Sequence, residues 1–336
     1  MRPRPCSAGF GAAVATAALF AAARAAPAVA QTPAPGIEGG AFLLVPVGAR
    51  AVALGEAATA DGGTAESMFW NPAGLATMPR GEFAVFHYNA FFGTGDAVAA
   101  AVPSARLGTF AVAAYLVNYG DLAVTQAATG AQPVGQISPR NVELMASYAT
   151  DVAGALAVGV TYKLVQFRVD CSGDCTGVPT AIGSTNAVDV GMRYTFGSER
   201  PVVVGVSVRN LGFDLQVNNQ AQADPLPTRL TIGISAEVLR PNDGAQGFDA
   251  RILADVQSAF VGVPIQPVTL LGVETGVGDA FRLRAGYAFL DSNERGPALG
   301  IGVKFGSIAF DMARTFSAAD DIGDQAPVQI NFRVIF

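Results

Sequence analysis

The chain reads as all-β: about fourteen antiparallel strands closed into a transmembrane barrel, with an N-terminal hatch. Three observations predict this. Hydrophobic residues make up 51% of the 336 residues and charged residues only 14%, well under the roughly 25% charge of soluble domains. After the N-terminal segment there is no apolar run long enough for a transmembrane helix. Past residue 80, apolar and polar residues alternate between turn signals, the period of a strand with two unlike faces.

The elements follow in chain order. Residues 1–30 read as a secretory signal: Arg2 and Arg4 form a basic start, Ser7 to Ala23 an Ala-rich apolar core. Ala28-Val29-Ala30 is a small-x-small cleavage site, so cleavage falls between Ala30 and Gln31. Export through this leader, taken with the barrel pattern, leads to the expectation of the bacterial outer membrane. Three of the 21 basic residues and none of the 27 acidic ones leave with the leader, shifting the net charge from −6 to −9. With no basic run in the chain, that charge excludes a nucleic-acid partner. Cys6 also leaves. Cys171 and Cys175 remain, and an even pair in an exported chain suggests a disulfide.

Residues 31–80 form the expected hatch, and residues 81–336 the barrel. From 37 to 80 the chain is small, apolar and not alternating. Its one tryptophan, Trp70, sits directly before Asn71-Pro72-Ala73-Gly74. Proline pushes the preceding residue out of the α region, so Asn71 ends any helix before it.

Strands are expected near 82–92, 95–103, 107–118, 140–151, 154–169, 184–196, 200–210, 228–240, 247–257, 268–276, 280–290, 296–305, 307–316 and 326–336. In "VQINFRVIF", Val328, Ile330, Phe332, Val334 and Phe336 share one face, opposite Gln329, Asn331 and Arg333. In "FRLRAGYAF", Phe281, Leu283, Tyr287 and Phe289 oppose Arg282 and Arg284. A soluble antiparallel sheet would bury the apolar face; a transmembrane barrel turns it to lipid. Strands of about ten residues match a tilted bilayer crossing. Aromatics near strand ends, Phe91, Phe92, Tyr115, Tyr119, Phe289 and Phe316, suggest interfacial girdles. The terminal Phe332, Val334 and Phe336 match the assembly signal usual in bacterial outer-membrane barrels. Turns at the periplasmic end are short, and loops at 120–139, 170–183, 211–227 and 317–325 are long.

The polar face supplies inward charges: Lys163, Arg193, Asp249, Arg251, Asp255, Arg282, Arg284 and Lys304. They would pair with one another and with the hatch, or form a selectivity surface. His87 reads as a lumen-facing structural residue. No nucleophile or acidic partner is arranged around it, so neither enzyme activity nor a cofactor is expected. Asp320, Asp321 and Asp324 match no calcium-loop spacing.

"GARAVALGEAATA", followed by "FWNPAGLA" and an alternating barrel, resembles the PorV/PorQ family. That family belongs with the FadL-type fatty-acid transporters, fourteen-stranded barrels whose hatch carries an Asn-Pro-Ala motif. The family's Gly-Met-Gly-Gly-Ala is here Ala53-Leu54-Gly55-Glu56-Ala57, and its Ala-Asp-Asp is Ala60-Asp61-Gly62. The resemblance implies a type IX secretion component that receives exported cargo proteins from the secretion machinery. The FadL side of the resemblance implies a transporter of hydrophobic small molecules or long-chain fatty acids. In either case the wall contacts outer-membrane lipid.

Overall fold

The computed structural model describes residues 38–90, 93–125, 132–176, 181–216, 223–240, 247–261, 265–278, 280–289, 296–316 and 327–336. The expected leader with Ala30 and Gln31, and the last-loop aspartates Asp320, Asp321 and Asp324, lie outside these residues.

Fourteen strands form the wall: β1 Glu82–Ala90, β2 Gly93–Ser104, β3 Gly108–Asn118, β4 Pro133–Asp151, β5 Leu156–Gly173, β6 Ala181–Phe196 and β7 Val202–Gly212. They continue as β8 Thr228–Leu239, β9 Phe248–Val261, β10 Val268–Val277, β11 Phe281–Phe289, β12 Pro297–Phe305, β13 Ile308–Thr315 and β14 Val328–Ile335. Every neighbouring pair is antiparallel, and β1 pairs with β14 from Glu82↔Ile335 to Asn89↔Val328, closing the ring. The expected closed fourteen-strand barrel is the observed architecture. Closure leaves no unpaired sheet edge in the apolar band, the condition lipid imposes on a β structure.

Alternation sets the faces. On β11, Phe281, Leu283, Tyr287 and Phe289 are exposed while Arg284 and Ala288 are buried. On β6, Asp189 and Arg193 are buried and Val190, Met192 and Tyr194 exposed. Two outward aromatic groups form: Phe196, Phe248, Phe281, Phe305 and Phe336 near the end holding both barrel termini, and Phe213, Phe260, Phe289 and Phe316 at the far end.

Three expectations change. Tyr115 is not a girdle residue: it is 2% exposed, and its hydroxyl donates to Tyr88 Oη inside the lumen at 3.3 Å. Tyr119 is partly buried and accepts a hydrogen bond from Asn141 Nδ2. His87 is not lumen-facing. Glu82, Ala84, Phe86 and Tyr88 take the inward positions of β1, so period two turns His87 outward, where Nδ1 lies 2.8 Å from Asp96 Oδ1. Phe91 and Phe92 lie outside the described residues.

β4 and β5 are longer than expected, at 19 and 18 residues. They run past the apolar band, and a short strand, Leu122–Thr125, extends their sheet. Part of the expected loop 120–139 is therefore strand. Cys171 and Cys175 form a disulfide at the tip of β5, with Cα atoms 6.3 Å apart.

Candidate functional site

Residues 38–80 lie against the inward face of the wall and determine what the lumen can do. Their secondary structure is short: 3-10 turns at Ala41–Leu44, Ala65–Phe69 and Pro72–Thr77, and one α-helical turn, α1, Ala49–Ala53. Turns this short leave most backbone groups without internal partners, so the barrel supplies them. The Gly48 and Ala49 amides donate to Gln329 Oε1 and Asn331 Oδ1 of β14, at 3.2 and 2.9 Å. The Thr59 amide donates to Asp255 Oδ2 of β9 at 2.8 Å.

Asn71 explains its place before proline. It is fully buried; its side chain caps the turn Pro72–Thr77 by accepting from the Ala73 amide, and Pro72 at the first position needs no donor. Its Nδ2 donates to Thr59 O at 2.7 Å and to the β6 carbonyl of Met192 at 3.2 Å. Gly74 packs where a Cβ would meet Ser67 and the Asp61 carbonyl. Trp70, 5% exposed, donates from Nε1 to Val47 O at 2.9 Å. Arg209 of β7 lies 5.0 Å over its ring and donates to Phe69 O.

The wall admits the segment through inward glycines. A Cβ on Gly286 would lie 1.9 Å from Gly55 N, one on Gly205 2.2 Å from Thr59 O, and one on Gly159 2.4 Å from the Pro72 carbonyl carbon. Gly159 pairs with Gly191, Gly205 with Gly233 and Gly272 with Gly286. Backbone thus presses on backbone on both sides of the lumen.

At the terminal end a chain of ion pairs runs from the inner segment around the wall. Asp61 Oδ1 meets Arg50 Nη2 at 3.0 Å and Arg251 Nη1 at 2.7 Å. Glu274 receives Arg251 Nε at 2.9 Å and Arg284 Nε at 2.5 Å. Asp311 bridges Arg284 at 2.7 Å and Arg333 at 2.8 Å, and Arg333 reaches Glu82 at 3.3 Å. Four arginines balance four carboxylates, which such burial requires; removing one partner of a buried pair costs about 3–5 kcal/mol. Asp249 pairs with Arg282. All of these groups except Asp61 line a polar cavity of about 600 Å³, with Arg80 and Lys304 at its wall. Lys163 lies 3.1 Å from Glu143 and 2.8 Å from Asp189, and Arg193 donates to Ala60 O at 3.2 and 3.0 Å.

Two carboxyls of the inner segment shift in opposite senses. Burial pushes Asp61 up, but Arg251 and Arg50 outweigh it and hold the group below its usual range. Burial pushes Glu66 up to about 7, opposed by the Ala51 amide and the charge of Arg50. Glu66 Oε1 accepts from Ala51 N at 2.7 Å and Oε2 from Asn331 Nδ2 at 2.9 Å.

The far half holds an apolar and aromatic cluster beside buried charge, with Glu143 directly opposite Tyr115. Phe42, Leu43, Tyr88, Tyr115, Leu215 and Leu226 pack in one cluster, with Phe167 against it. Arg229 clamps Glu38 through Nη1 and Nη2 at 2.8 and 2.6 Å, tying the start of the inner segment to β8. At the seam, the Phe336 amide donates to Gly81 O at 2.9 Å, while Phe332 is exposed on the outer face and Val334 part-exposed.

Sequence reasoning named the strand charges but missed their partners Arg50, Asp61, Glu274 and Asp311. The strand partners were readable: Glu274 in "LLGVETGV" and Asp311 in "IAFDMART" hold inward positions. Arg50 and Asp61 were not, because no period governs the segment that carries them.

A model of a family described as "Uncharacterised protein family (UPF0164)" matches residues 9–290. Among solved structures, the P. putida toluene transporter TodX is similar with a TM-score of 0.57 at 13% identity, over 86% of this chain and 98% of that one. The Ralstonia pickettii toluene transporter TbuX gives 0.56 at 12% identity, over 86% and 98%. The CymD monoaromatic hydrocarbon channel gives 0.54 at 15%, over 87% and 98%. At these identities the likeness is one of fold. No curated protein matches the sequence.

Proposed function

The chain belongs to the family UPF0164, and from its plugged barrel we propose that it is an outer-membrane channel for hydrophobic small molecules. The observation that carries this reading is the division of the lumen. An aromatic, apolar cluster in the far half, built on Phe42, Tyr88 and Tyr115, sits above the ion-paired network of the terminal half. An apolar compound gains by leaving water for the first region, and the ion-paired region below keeps the lumen shut to bulk flow. Residues 38–80 act as the hatch between them, and residues 1–30 as the leader that takes the chain to the outer membrane. Similar folds in transporters and channels of aromatic hydrocarbons support the same reading over an enzyme.

The secretion role implied by the PorV/PorQ resemblance rests on the hatch motif from Trp70 to Gly74 and gains no support from the similar structures. Deleting the gene and following both outcomes separates the two. The channel reading expects slower uptake of a monoaromatic hydrocarbon with normal surface display of exported proteins. Lost display with unchanged uptake would reverse it.

A further inference from the structure

The outward face of β4 and β5 changes character at one level, while β6 carries Asn186 beside Leu164 and Ile182 beside Arg168. Leu144 and Leu164, cross-strand partners, are exposed and apolar. Two residues further toward the far end, Val142 faces Gln166 and Ser184; at the next outward level Arg140 stands directly opposite Arg168. Like charges directly opposite on one sheet face repel, so the pair is unfavourable unless an anion lies between them. Arg168 Nε is held by Asp170 at 2.6 Å. Arg140 has no ion pair among the described residues. The other nearby acids are engaged: Asp121 accepts from Ser138 Oγ at 2.5 Å and Asp96 meets His87. Beneath the arginines a groove of about 320 Å³ is lined by Val142, Leu144, Leu164, Gln166, Ser184 and Asn186.

We propose that this is a docking site for one phosphate-bearing lipid of the outer leaflet. Arg140 and the Nη donors of Arg168 would take the phosphate, Gln166 and Ser184 the polar headgroup, and the leucine-floored groove one acyl chain. Planar guanidinium forks match phosphate oxygens, and the arginines stand where the apolar band ends, at headgroup depth. Charge complementarity and the adjoining acyl groove together select a lipid over a soluble anion. The site rests on the outer-membrane reading; fractionation into another membrane would overturn that reading while leaving a binding measurement intact.

The test is native mass spectrometry of the purified, detergent-solubilised full chain titrated with bisphosphorylated lipid A. One lipid bound per barrel is expected. The R140Q/R168Q variant should bind about tenfold more weakly, and lipid A stripped of both phosphates should lose as much on the unaltered protein. The second arm needs no variant, so it holds even if the substitutions disturb folding. Equal binding by the variant, equal binding of the phosphate-free lipid, or inorganic phosphate displacing lipid A completely would each overturn the proposal.

Discussion

At the scale of single residues, Glu66 is the most informative. It is 4% exposed and accepts two hydrogen bonds that tie α1 and β14 together. Its folded value of about 7 lies above its ordinary 4.5. The folded protein therefore holds a proton that the unfolded chain releases between those values. Stability falls as pH rises through that window, by on the order of 3 kcal/mol, and is flat above it. Glu66→Gln should remove the slope, leaving the variant more stable than the parent at pH 8 and within about 1 kcal/mol of it at pH 5. Urea unfolding followed by tryptophan fluorescence measures this directly, because Trp70 is the single tryptophan and sits in the hatch. A parallel pH slope in both proteins would assign the titration elsewhere.

At the scale of elements, the hatch and wall meet through backbone, and glycine makes the approach possible. Gly286→Val would drive two methyls into Gly55, whose nitrogen already lies 1.9 Å from an added Cβ. The hatch, held by short turns, should yield before the closed strand ladder. The expected result is a red-shifted, quencher-accessible Trp70 in a barrel that keeps its heat-modifiable gel shift. An unchanged Trp70 spectrum would mean that the wall bends instead.

The strands were legible because period two is enforced at every residue by lipid on one side. The inward side was misread where a polar residue broke the rule: His87 looked like a lumen residue by its chemistry, and parity placed it outward with Asp96. The long ends of β4 and β5 were missed because Pro139 and the glycines there read as loop, though proline is tolerated where a ladder is not fully shared. Hatch contacts such as Asn71 to Met192 join residues 121 apart, and no local pattern encodes them.

At the scale of the whole molecule, residues 38–80 are tied to the wall at both the aromatic cluster and the ion-paired network. The plug bonds to β14, β9 and β6 and, through Arg229 and Glu38, to β8. On the proposed channel reading, passage of a solute requires residues 38–80 to shift, and the same segment fixed to the wall should not conduct. A reversible lock is available at Thr59 and Gly233 once Asp255 is shortened to alanine: an added Cβ on Gly233 would lie 2.2 Å from Asp255 Oδ1 and 3.1 Å from Thr59 Cβ, a few tenths of an ångström inside disulfide spacing. The decisive measurement is uptake of a radiolabelled monoaromatic hydrocarbon by cells carrying T59C/G233C/D255A, before and after a reductant. The D255A variant, whose own Cys171–Cys175 bridge also meets the reductant, serves as control. Low uptake that reduction restores to the control's rate is the predicted result; uptake equal to the control's in the locked state, or equal to that of cells lacking the protein in every state, would contradict the channel.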